Sequence, residues 1–229
     1  MFHVPKSPGD LETDLPTFAV DISGAYTCGV QGTGFASRGS GSADCHGEDL
    51  SQSKVVDRIV TSLEALKNNK GGRVNLIIEA PLSYAVASSG SSDALLREIE
   101  KPSSYPGLPL AANRVRPWNC NAGASTALMT LIFLTDLRAR APKGVTINLF
   151  EGFWSWGSEL GKPTELFKVA LQLLDGLKAG GNRVIWLPDD KVNYRTALDL
   201  LRFDSSTAST PPPIVFGHEK LASAYALRA

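Results

Sequence analysis

The sequence predicts an α/β protein: one mixed sheet that starts as an antiparallel hairpin and continues in parallel strands, with helices on both faces. Three observations predict it. The run Thr17-Phe18-Ala19-Val20-Asp21-Ile22 is apolar, carries β-branched members and is followed by Ser23-Gly24, a strand entering a turn. From residue 51 onward, segments with helical spacing alternate with short apolar runs, the pattern of successive αβ units. Stop signals such as Asn68-Asn69-Lys70-Gly71-Gly72, Pro142-Lys143-Gly144 and Gly180-Gly181 close the helical segments.

Residues 1–16 read as an irregular lead-in, rich in proline and acids, before a single domain over 17–229. Residues 26–30 are expected to return as the second hairpin strand, with Ser23-Gly24-Ala25 as the tight connection. The Gly- and Ser-rich stretch 29–47 reads as a loop or one short strand, because glycine weakens strand interiors. Residues 51–68 form the first helix, with Val55, Val56, Ile59, Leu63 and Leu66 on one face. Residues 73–81 are a buried strand that ends on Glu79 just before Pro81. Residues 82–119 form an inserted loop region, with a short helix at 93–100, and a loop of this length suggests a lid or binding loop. The helix at 122–141 is apolar around most of its circumference and is expected to be central and buried. A strand at 145–152, ending on Glu151, follows. Then come a helix at 163–179 opened by Pro163, a strand at 183–187, a helix at 194–203, a loop at 205–213, a short strand at 214–216 and a terminal helix at 218–228.

Composition narrows the function. The 229 residues carry 23 Lys plus Arg and 23 Asp plus Glu, a formal net charge of zero. That balance excludes a strongly basic, phosphate-coating protein and a polyacidic one. No run approaches the roughly 18 apolar residues of a spanning helix, so no membrane association is expected. Residues 1–14 lack the basic flank and apolar core of a signal peptide, and three scattered cysteines (Cys28, Cys45, Cys120) suit a reducing compartment, so a cytoplasmic location is expected.

Three acids sit within or directly after apolar strands: Asp21, Glu79 and Glu151. Ligands of α/β sheets bind beyond strand ends. Carboxylates that converge there repel one another unless a cation neutralises them, and a cluster of hard oxygen ligands favours Mg2+ or Mn2+. Any one of them could equally serve as a helix cap, a loop anchor or a surface charge.

The strand Ala19-Val20-Asp21-Ile22-Ser23-Gly24, the strand Leu76-Ile77-Ile78-Glu79-Ala80-Pro81-Leu82, the Arg116-Pro117-Trp118-Asn119 segment and Leu149-Phe150-Glu151-Gly152 together resemble the ribonuclease-H-like superfamily, within it an uncharacterised branch of predicted nucleases. The resemblance covers residues 17–228 and implies that Asp21, Glu79 and Glu151 ligate metal and that Arg116 contacts a substrate phosphate or fixes its loop, with Trp118 beside it as a further substrate-binding candidate. It also implies an Asp in the last helix, near Ala222 or Ser223, which this chain lacks; His218 or Glu219 is the substitute that the sequence offers.

Other candidates compete. Asp44-Cys45-His46-Gly47-Glu48-Asp49 collects ligand types but has no partner Cys/His pair for zinc, and a solvated loop is the simpler reading. Cys120 before a helix suggests a thiol of lowered pKa or an ordinary buried one. Phe153-Trp154-Ser155-Trp156 suggests base stacking or a packed loop, and Asp189-Asp190 a helix cap. The leading expectation is a Mg2+- or Mn2+-dependent nuclease acting on nucleic acid, its neutral charge compensated by a patch from Arg114, Arg116, Arg138, Arg140 and Lys143. The alternative is a catalytically inactive ribonuclease-H-like module that binds a protein partner or forms a homodimer. A third reading, a nucleotide-binding domain of the actin-like kinase group, needs a second similar half for which 229 residues leave little room.

Overall fold

The computed structural model describes residues 1–22, 32–67, 72–86, 97–108, 121–154, 160–187, 193–196 and 211–228. Its strands are β1 (Phe2–His3), β2 (Thr17–Asp21), β3 (Thr33–Arg38), β4 (Cys45–Leu50), β5 (Arg73–Glu79), β6 (Ser83–Val86), β7 (Thr146–Phe153), β8 (Val184–Ile185), β9 (Asn193–Thr196) and β10 (Ile214–Phe216). Its α-helices are α1 (Gln52–Leu66), α2 (Asn121–Arg140), α3 (Leu166–Ala179) and α4 (Glu219–Ala226).

Eight strands form one mixed sheet in the order β4-β3-β2-β5-β7-β10-β8, with β1 also paired to β7. Strand β3 runs antiparallel to both of its neighbours, β2 and β4. Strands β2, β5, β7 and β10 run parallel, and β8 closes the far side antiparallel to β10. The expected antiparallel start and parallel continuation are therefore present. β1 and β10 occupy successive stretches of β7, the first opposite Ile147 and Asn148, the second opposite Glu151 to Phe153. The lead-in thus joins the sheet, and the Asn75 side chain holds it further by donating to the Glu12 carbonyl at 2.8 Å.

The pleat sends alternate residues to opposite faces. Val20, Leu76, Ile78 and Leu149 pack with Val55, Ile59 and Leu63 of α1 and with Phe133 and Leu137 of α2. Ala19, Ile77 and Phe150 pack with Val169, Ala170, Leu173 and Leu174 of α3. Each of the valine, leucine, isoleucine and phenylalanine side chains among them, fully buried, contributes about 1.5–3 kcal/mol relative to exposure. Helix α1 starts where the sequence places it, with the Ser51 side chain accepting from the Lys54 amide.

Several expectations are corrected. The Gly-rich stretch holds more than one short strand: 33–38 is β3 and 45–47 opens β4, joined by an irregular turn at 39–44, and α3 lies so close over these strands that only glycine fits at Gly34 and Gly47. A Cβ on Gly34 would stand 2.2 Å from the Leu166 carbonyl carbon, and one on Gly47 would stand 2.8 Å from the Phe167 ring. Cys45 to Asp49 is accordingly an edge strand and not a solvated loop, and Cys45 is a half-buried free thiol. Helix α3 starts at Leu166, later than Pro163 suggests, and Asp49 Oδ1 accepts from the Phe167 amide at 2.8 Å in its first turn. Helix α2 is not wrapped all round, since Leu128 and Ile132 are 57% and 50% exposed. Asn193–Thr196 is not helical but pairs antiparallel with β6 in a second, two-stranded sheet. Strand 183–187 shortens to Val184–Ile185 after a 3-10 turn at Gly181–Arg183. Within the inserted region, 97–108 is packed rather than open, with Ile99, Glu100, Ser104 and Tyr105 buried. The returning strand expected at 26–30 lies outside the described residues; the strand paired with β2 is β3. No helix is long and apolar enough to cross a membrane among the described residues.

Candidate functional site

Strands β2 and β5 pair in parallel with Asp21 opposite Glu79. Two residues earlier on each strand, Ala19 and Ile77 lie in the cluster under α3. Asp21 and Glu79 therefore share the α3 face, on backbones about 4.8 Å apart. Both are buried, at 0% and 1% exposure. Two carboxylates taken out of water side by side repel and lose hydration, a cost that positive charge or a shared proton offsets. The fold brings positive charge from two directions. Lys162 Nζ stands 3.6 Å from Glu79 Oε1. Leu166, the first residue of α3, lies against Gly34, the register partner of Asp21, so the positive end of the α3 dipole sits beside that carboxylate.

Glu151 does not join them. Its register partner on β5 is Ile78, not Glu79. It alternates with Ile147 and Leu149, which face α1 and α2, while its neighbour Gly152 faces α3, where a Cβ would meet Leu173 at 2.7 Å. One residue of register thus sends the third acid to the opposite face of the sheet. There Arg97 holds it in a two-pronged ion pair, Nη2 to Oε1 at 2.6 Å and Nη1 to Oε2 at 2.7 Å. The Leu82 amide also donates to Oε2 at 2.8 Å. The expected pocket of three carboxylates is corrected to a pair plus a separately engaged acid. Among the described residues, no group of three or more His, Cys, Asp or Glu side chains is arranged to hold a metal ion.

His218 and Glu219 serve the start of α4. His218 is its N-cap, with Nδ1 accepting from the Lys220 amide at 3.1 Å, and its ring meets Trp154 edge-on at 5.2 Å. Burial, then the positive charge of Lys220, lower the His218 pKa below its ordinary value. Glu219 stands in the first turn of the helix, where an acid complements the dipole. Both follow β10, which β7 separates from β5. Phe153 and Trp154 are fully buried, so these two rings pack the core and present no stacking surface. Arg140 pairs with Asp57 and Asp136. Arg114, Arg116, Trp118, Cys28, Cys120, Trp156 and Asp189-Asp190 lie outside the described residues.

Sequence reasoning missed Arg97 and Lys162. Neither sits in a motif, and Arg97 is 54 residues from the acid it pairs with. An arginine and two glutamates at 97, 98 and 100 offer only local charge pairing as a signal.

Asp21 and Glu79 offer hard carboxylate oxygens, a donor type that fits Mg2+ or Mn2+. Glu151, saturated by Arg97 and Leu82, does not fit as a further ligand. Comparisons with protein-family models, with curated proteins and with solved structures found no match in any of the three.

Proposed function

We propose that the chain is a divalent-metal-dependent phosphodiesterase of ribonuclease-H-like architecture, cytoplasmic, hydrolysing nucleic acid at a site built on Asp21 and Glu79. The observation that carries this reading is the register of β2 and β5, which sets two buried carboxylates side by side at the ends of adjacent parallel strands. Strand ends are where sheets of this class bind ligands. The order β4-β3-β2-β5-β7, antiparallel then parallel, with α1 and α2 as crossovers, supports the architecture that the resemblance implies.

Bound Mg2+ or Mn2+ supplies charge neutralisation and an activated water in phosphodiester cleavage. Asp21 and Glu79 hold the ion in this reading. Lys162 fixes the Glu79 carboxylate and adds a positive charge for a substrate phosphate. Glu151 takes no part as a ligand, and Arg116 and Trp118 keep their places as substrate-binding candidates. The test is cleavage of single- and double-stranded DNA and RNA with Mg2+ or Mn2+ against chelator. Metal-dependent cleavage that falls at least about 100-fold in a folded Asp21→Asn variant is the expected result. Wild-type protein that cleaves none of these substrates with either ion overturns it.

One observation favours a second reading, a non-catalytic module that binds a protein partner or a second copy. The third acid of the expected centre is committed to Arg97, which leaves two carboxylates where the resemblance implies more. Absence of cleavage in the same assay, with the fold intact, favours this reading.

A further inference from the structure

Strand β7 presents two residues of one face, Glu151 and Phe153, to the segment 97–108. Glu151 takes the Arg97 ion pair. Phe153 stacks on Tyr105 with ring centroids 6.0 Å apart, and Tyr105 in turn packs on Tyr225 of α4. The Tyr105 hydroxyl donates to the Ile99 carbonyl at 2.7 Å, and Arg228 donates to Ser104. The segment is bolted to β7 at both ends, one bolt ionic and the other aromatic.

The ionic bolt has an unusual composition. The Arg97, Glu100 and Glu151 side chains are all 0% exposed. A single guanidinium nitrogen, Nη2, donates to Glu151 Oε1 at 2.6 Å and to Glu100 Oε1 at 2.9 Å, while Nη1 donates to Glu151 Oε2 and to Ser83 Oγ. Two carboxylates therefore converge on one nitrogen in a dry site. That is the task a divalent cation performs for a pair of buried acids. Burial works to lower the Arg97 pKa, but attraction and hydrogen bonds to Glu100 and Glu151 outweigh it and raise it above the ordinary value, so the guanidinium stays charged.

We propose that Arg97 is a built-in cation that replaces a metal between Glu151 and Glu100 and thereby fixes the 97–108 segment to the sheet. Arg97 is a positioning residue, and its role does not depend on the phosphodiesterase reading. Both Oε1 atoms contact the same nitrogen, so loss of the guanidinium leaves two acids within reach of one ion. A small shift lets Ca2+, whose oxygen ligands stand ~2.3–2.6 Å away, bridge them.

The test compares the full chain with Arg97→Met, Glu151→Gln and the double variant by thermal melting, each with chelator, Mg2+ or Ca2+. Arg97→Met is expected to melt lowest in chelator, because it strands two buried charges. Saturating Ca2+ is expected to raise its midpoint by about 5 °C or more relative to its effect on the double variant, which keeps Asp21 and Glu79 as a control. The double variant, which removes the cation together with one of the two acids, is expected to melt above Arg97→Met. If Arg97→Met fails to fold in chelator, refolding in Ca2+ against chelator gives the same readout, and Glu151→Gln must still fall below wild type. An Arg97→Met protein as stable as the double variant and indifferent to both ions overturns the proposal, as does a Glu151→Gln protein as stable as wild type.

Discussion

Gly34 is where the fold and the candidate site depend on the same missing atom. A Cβ there would stand 2.2 Å from the Leu166 carbonyl carbon, 2.4 Å from its oxygen and 2.6 Å from its Cβ. These are backbone and near-backbone atoms of α3, so no side-chain rotation relieves the overlap; the start of the helix must lift. Overpacking costs about 1–3 kcal/mol, and an obstacle made of backbone belongs at the top of that range. Gly34→Ala is therefore expected to lose about 3 kcal/mol, which for a chain of this size lowers the melting midpoint by roughly 6–12 °C. Gly47→Ala meets the Phe167 ring at 2.8 Å and the Leu171 side chain at 3.2 Å, atoms that can turn aside, so about 1 kcal/mol is expected. Gly9→Ala meets only Ser7 Oγ at 3.6 Å and is expected to be near neutral. Urea titration of the three variants and wild type checks the ranking through midpoints at unchanged slope. In an uncrowded strand, replacing glycine by alanine stabilises by roughly 0.5–1 kcal/mol. A Gly34→Ala variant within about 0.5 kcal/mol of wild type, or above it, refutes the close seating of α3 on β3 and with it the placing of the helix dipole beside Asp21.

Gly217→Ala brings a Cβ to 2.2 Å from Trp154 Cδ1 and 2.3 Å from Nε1, against a ring that is fully buried, so a loss of about 2–3 kcal/mol with a changed tryptophan emission spectrum is expected. Burial raises the Glu100 pKa above its ordinary value, and the opposing attraction of Arg97 does not cancel it. The folded chain therefore holds this proton at a higher pH than the unfolded chain does, so the contribution is full below the unfolded value and is lost as pH rises through the folded one. Urea-unfolding free energies of wild type minus Glu100→Gln, measured across mildly acidic pH, are expected to fall with rising pH; a flat difference contradicts the burial of that carboxyl.

The parts of the fold that local pattern encodes were legible in the sequence. Helix α1 follows from the spacing of Val55, Val56, Ile59 and Leu63, and β5 and β7 from short, mostly apolar runs interrupted by Asn75 and Asn148, because buried parallel strands are largely apolar on both faces. What escaped was set by partners distant along the chain. β3 and β4 look like a loop because their glycines answer to α3, more than a hundred residues away. The same separation hides the start of α3, where Asp49 stands in the first turn instead of a local cap. At the site, the sequence marks Asp21, Glu79 and Glu151 alike, since each ends an apolar strand. Only the register decides which face each one takes, and a shift of one residue sends Glu151 to Arg97. His218 resembles a ligand in sequence and is a helix cap in the structure, a role that the residue type does not announce.

Direct titration of Mn2+ by calorimetry into wild type and into Asp21→Asn/Glu79→Gln, both with the Arg97 ion pair untouched, bears most directly on the central assignment. The account predicts that wild type binds the ion and that the double variant, still folded by circular dichroism, loses at least about tenfold in affinity, which is roughly 1.4 kcal/mol. Equal binding by the two proteins, or none by wild type, contradicts it.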